Sequence, residues 1–106
     1  MNIKELVRQA RPYAAAVSSE GMQNCFAEAE RLLAGEVTFQ YFRDFIDQFL
    51  PFPQMNNRND WIIKSVICAV ECNWRLENGW YMTGVARRHA RGIIHQAEKE
   101  LTSRIK

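Results

Sequence analysis

The sequence predicts an all-α protein, a single-domain antiparallel bundle of four to five helices spanning residues 1–106. Three observations lead there. Apolar residues recur every three or four positions in one segment after another, the spacing of an amphipathic helix. Gly (5) and Pro (3) are too scarce for turn-rich β structure. The stretch from Asp60 to Glu77 runs eighteen residues without either of them, long for a strand despite its β-branched content.

The first helix starts at Asn2, with Glu5 three residues on as in a capping box. Ile3, Leu6, Val7 and Ala10 form its apolar stripe. Pro12 lacks an N–H and crowds the preceding turn, so the helix is expected to stop or kink near Arg11. Tyr13 to Val17 then form a separate turn. A second helix runs from about Ser19 to Ala34 and buries Met22, Cys25, Phe26, Ala29, Leu32 and Leu33, with Gly35 as its stop. Thr38 caps a third, Phe39 to Leu50, ended by Pro51. Phe39, Phe42, Phe45, Ile46, Phe49 and Leu50 share one face; Gln40, Asp44, Asp47 and Gln48 share the other, with Tyr41 beside them. The irregular segment PFPQMNNRN follows, with Phe52 and Met55 as its apolar residues.

The stretch from Asp60 to Glu77 is the element the others surround. Ile62, Ser65, Val66, Ala69, Val70 and Asn73 point one way. Ile63, Ile67 and Trp74 flank them on one side; Trp61, Cys68, Cys72 and Leu76 flank them on the other. Only Lys64, Glu71 and Arg75 make a polar strip. A helix apolar nearly all round needs neighbours on several sides. Asn59 or Asp60 is expected to cap it, and Asn78-Gly79 to end it. The last helix then runs from about Trp80 to Ser103, with Met82, Ala86, Ala90, Ile93, Ala97 and Leu101 as its stripe.

Charge is uneven along the chain. Residues 1–79 carry eight Lys/Arg against ten Asp/Glu, net −2; residues 80–106 carry six against two, net +4. Three cysteines, an odd number, and a polar amphipathic start in place of an apolar leader predict reduced thiols and a cytoplasmic location. No apolar run is long enough to cross a bilayer, so no membrane is expected.

Patterns for catalysis are missing. The sequence has no Gly-x-Ser-x-Gly, no His-Glu-x-x-His and no phosphate-binding glycine loop. Cys68 and Cys72 with His89 and His95 match no familiar zinc spacing, so neither metal nor cofactor is expected. Asn73 and Glu77 fall within the wide apolar arc of the central helix. A core polar network or exposure at the bundle end accounts for them.

Two features point to a binding surface. Arg88, Arg91, His95 and Lys99 line the side of the last helix away from its apolar stripe, with Arg87 at its edge and Gly84 and Gly92 near the same side. A solvated helix face also collects Lys and Arg, so the ridge gains meaning from its company. That company is aromatic: Trp80-Tyr81 follow a turn, and Phe52, Met55 and Arg58 fall in or beside the loop. Trp, Tyr, Phe, Met and Arg together are the composition of protein interfaces. The sequence reading is therefore a small protein-binding module without catalysis, an inhibitor of the immunity or phage counter-defence kind. Its surface comprises Phe52, Met55, Arg58, Trp80, Tyr81, Arg87, Arg88, Arg91, His95 and Lys99, and its partner offers an acidic or nucleic-acid-binding surface. The alternative is a nucleic-acid-binding protein that sets the last helix on phosphates.

Overall fold

The computed structural model of the chain describes residues 1–49 and 57–105. Its five helices are α1 (Ile3–Ala14), α2 (Glu20–Leu33), α3 (Phe39–Asp47), α4 (Arg58–Glu77) and α5 (Gly84–Ile105), with no strand among the described residues. The protein is an all-α helical bundle.

Each helix starts on a polar side chain that accepts from the N–H three residues on. Asn2 serves Glu5 (2.8 Å), Ser19 serves Met22 (3.0 Å) and Thr38 serves Tyr41 (3.1 Å). Asn57 serves Asp60 (3.0 Å) and Thr83 serves Ala86 (3.1 Å). These bonds satisfy donors that have no partner inside the helix. α2 and α4 end alike. Gly35 (φ 76°) and Gly79 (φ 69°) take the left-handed conformation. The next residue's N–H then reaches back to the third-last helical carbonyl: Glu36 to Arg31 and Trp80 to Arg75, each 2.9 Å.

The apolar face of each helix turns to one continuous core. Leu6, Val7 and Ala10 of α1 share it with Met22, Cys25, Phe26 and Ala29 of α2 and with Phe42 and Ile46 of α3. Ile62, Ile63, Val66, Ile67, Ala69 and Val70 run through the middle, with Ala97 and Leu101 from α5. α4 packs on α1, α2 and α5. It meets α3 through the Phe39–Trp74 ring stack and the Arg43–Glu71 ion pair. Ser65 Oγ donates to Glu100 (2.9 Å), which sets the first half of α4 beside the last turns of α5.

Four expectations about the elements need correction. α1 does not stop near Arg11, the first of the two outcomes expected there: it continues through Pro12 to Ala14. Pro12 is exposed, on the side where a carbonyl released from the helical ladder can turn to water. The helix described at α3 stops at Asp47, and Leu50 lies outside the described residues. α4 is capped by Asn57, not by Asn59 or Asp60. Asp60 has no exposure: its carboxylate accepts from Ser18 N–H (2.8 Å) and Ser18 Oγ (2.6 Å), tying α4 to the α1–α2 connection. α5 starts at Gly84, not at Trp80. The side chain and carbonyl of Thr83 take the N–H groups of Ala86 and Arg87, which leaves residues 80–82 outside the helix. Met82 is therefore not part of the buried stripe; it is 85% exposed.

Candidate partner-binding site

The site is built on the end of α4. The turn at Gly79 throws Trp80 back towards the helix it has left. Its ring meets Trp74 edge-on (6.0 Å, 70°) and Phe39 likewise (5.6 Å, 67°), while Phe39 and Trp74 stack at 3.9 Å. The Arg75 guanidinium lies 5.1 Å from the Trp80 ring and 5.6 Å from that of Phe39, a cation on two π faces. Glu71 holds Arg75 at 3.2 Å and Arg43 at 2.6 Å, and Arg43 in turn reaches Asp47 at 3.3 Å. One edge of Trp80 is thus fixed, while half of the side chain (53%) stays in water.

Beyond Trp80 the chain is partly held and partly open. Tyr81 is half-buried, with its hydroxyl in hydrogen-bonding reach of the Cys72 thiol and the Arg75 guanidinium; burial pushes its phenol pKa up. Met82 and Val85 (73%) project into solvent. Between the end of α4 and the start of α5 lies a cleft of about 350 Å³, lined by Leu76, Gly79, Tyr81, Met82 and Arg87. Arg87 Nε donates to the Tyr81 carbonyl (3.3 Å), which holds its guanidinium at the lip.

The cationic ridge starts at this lip. Arg87, Arg88, Arg91, His95 and Lys99 are all exposed. From Arg87 to Lys99 the ridge covers roughly 18 Å at the α-helical rise. None of the five has an ion-pair partner among the described residues. Lys4, Arg58 and Lys64 share this among the described residues, but five arginines of α1 to α4 are paired. Arg8 pairs with Glu5, Arg11 with Glu30, and Arg31 with Glu28 and Glu36; Arg43 and Arg75 share Glu71.

Seven of the ten residues expected from sequence lie at this corner or along α5. Tyr81 and Arg87 meet there, Trp80 precedes them against Trp74 and Phe39, and Arg88, Arg91, His95 and Lys99 continue along α5. Phe52 and Met55 lie outside the described residues. Arg58 does not join the corner. It opens α4, and the twenty residues of that helix separate it from Trp80 by roughly 30 Å. Arg58 instead lines a separate hollow of about 220 Å³ with Trp61, Ile62, Glu100 and Ser103. Sequence reasoning missed Met82 and Val85, because a helix started at Trp80 turns Met82 inward. The overlooked signal was Thr83-Gly84, a capping residue just before the periodic run.

The other polar groups singled out from sequence have ordinary settings. Cys72 is buried and Cys68 half-buried, and burial raises both thiol pKa values. His89 and His95 are exposed. No group of three or more His, Cys, Asp and Glu among the described residues is placed to hold a metal. Asn73 is half-buried and Glu77 exposed at the bundle end. Asp44 accepts from Gln40 (2.8 Å) and Asp47 pairs with Arg43. No helix of the described residues is long and apolar enough to cross a membrane. No protein-family model, curated protein or solved structure matches the chain.

Proposed function

We propose that the chain is a non-catalytic protein-binding module that acts by covering an acidic patch on another protein, in the manner of an inhibitor. One observation carries this reading. At the α4–α5 corner, exposed Met82 lines one cleft with Arg87, exposed Trp80 and Val85 stand within seven residues of that arginine in the chain, and Arg87, Arg88 and Arg91 have no acidic partner among the described residues, while Arg8, Arg11, Arg31, Arg43 and Arg75 are each paired with an acid. A half-anchored Trp is a low-entropy contact, and Trp and Arg dominate the energetic centres of interfaces. The uncompensated cations of α5 attract a surface of opposite charge and reject one of like charge. A purely phosphate-binding ridge has no use for Met82 and Val85.

Photo-crosslinking from position 82 tests this. A benzophenone-bearing amino acid in place of Met82, irradiated in the source cells, should give one dominant protein adduct. The double substitution Arg88→Glu, Arg91→Glu should remove it. Anisotropy titrations with duplex and single-stranded oligonucleotides at low salt should stay flat. Oligonucleotide binding that falls steeply with salt and disappears in the same double variant would replace this reading with a nucleic-acid one.

A further inference from the structure

The cleft beside the ridge indicates what part of a partner enters it. Its walls differ in kind. Leu76 and Met82 give apolar surface, and Gly79 opens the floor, with nothing within 4 Å of where a Cβ would stand. Arg87 closes the lip. The Tyr81 carbonyl takes its Nε–H, and the four N–H groups of the two terminal nitrogens stay available. That end of a guanidinium is a planar fork whose geometry matches a carboxylate. No acid of the described residues occupies it. Arg88 and Arg91, also unpaired among the described residues, continue the positive charge away from the cleft along α5.

We infer that this cleft is the anchoring pocket for a short acidic segment of the partner, one in which a large apolar side chain sits one or two positions from an Asp or Glu. The apolar side chain fills the space between Leu76, Tyr81 and Met82. The carboxylate meets the outer fork of Arg87, and further acids lie along Arg88 and Arg91. Two features favour a carboxylate-bearing peptide over a bare anion. The cleft offers an anion a single guanidinium, and Leu76 and Met82 in its walls reward burial of hydrocarbon. The Tyr81 carbonyl fixes the guanidinium before binding, so less side-chain freedom is lost on contact.

This inference rests on the protein-binding reading, and its test separates the two. A phage-displayed library of random linear peptides is panned on the immobilised chain. Recovered clones are re-assayed on the double variant Trp80→Ala, Val85→Ala and on Arg87→Ala and Arg87→Lys, each checked for an unchanged melting curve. The expected clones lose binding on the double variant and carry Asp or Glu one or two positions from a large apolar residue. They weaken roughly tenfold on Arg87→Ala, the loss of one charge-assisted bidentate pair, with partial recovery in Arg87→Lys. Clones that need Trp80 and Val85 but carry no such acid, or ignore Arg87→Ala, overturn the carboxylate pocket and leave the protein-binding surface standing. Clones indifferent to all three residues overturn both. Recovery of no clone overturns a short linear segment as the occupant, and crosslinking from position 82 then decides the broader reading alone.

Discussion

Asp60 shows how much rests on one side chain. A carboxylate with no exposure is tolerated only when its charge is well partnered. Here Ser18 supplies two donors, and the position in the first turn of α4 adds the positive end of the helix dipole. Asp60→Ala should cost about 3 kcal/mol in urea unfolding, and Ser18→Ala about half that. The double variant should cost clearly less than the two added together; strict additivity would mean that the pair is not coupled. Cys25 gives a second residue-scale prediction. It has no exposure, and burial, with help from the nearby Glu28 charge, raises its pKa from 9.0 to about 11. The folded state thus favours the neutral thiol. This contribution is complete below pH 9.0 and is lost as pH rises through about 11. Stability measured along that range should fall less steeply in Cys25→Ala than in the parent; equal slopes would show that this thiol does not titrate on unfolding.

At the scale of elements, the glycines of α4 and α5 make opposite predictions. Gly79 stands at φ 69°, where a Cβ crowds the backbone. Gly79→Ala should cost about 1 kcal/mol and also weaken partner binding, because the turn aims Trp80. Gly92 lies inside α5, exposed, with open space for a Cβ: no heavy atom comes within 4 Å of where one would stand. Gly92→Ala should raise stability by about 0.8 kcal/mol, read as a higher melting temperature. A loss of stability there would mean that Gly92 serves a close approach not seen within the chain. These elements also show how far the sequence alone reaches. Ser19, Thr38, Gly35 and Gly79 announce helix ends by local chemistry, so α2, the start of α3 and the end of α4 are legible in it. Asp60 is not, because its partner Ser18 lies 42 residues away and a carboxylate at a helix start looks like a cap. Trp80 to Met82 mislead for a related reason. Their apolar character fits the α5 periodicity, while the turn at Gly79 and the edge-on contacts with Trp74 and Phe39 hold Trp80 back towards α4. The ridge from Arg87 to Lys99 is legible because its spacing is internal to one helix.

At the scale of the whole molecule, the charge layout makes the association rate a directional measurement. Acidic and basic residues of the first three-quarters of the chain largely cancel in local pairs, and the excess positive charge gathers in the last helix. Arg58 is the control that this layout provides. It is exposed like Arg88 and Arg91, but it stands at the far end of α4, roughly 30 Å from Trp80 and several Debye lengths away at physiological salt. If the α4–α5 corner receives the acidic partner, Arg88→Glu with Arg91→Glu should lower the association rate constant roughly tenfold to a hundredfold at low salt. The salt dependence of that rate should flatten, because steering acts on encounter more than on escape. Arg58→Glu should change the rate less than about twofold. All three arginines lack ion-pair partners among the described residues, so their replacement should move stability by no more than about 0.5 kcal/mol, and the rates can be compared without correction for unfolding. Stopped-flow or surface-plasmon measurements with the partner captured from position 82 give the answer. An equal effect from Arg58→Glu would move the contact away from the corner and onto the opposite end of the bundle, where Trp61 is 52% exposed with Lys64 5.3 Å from its ring.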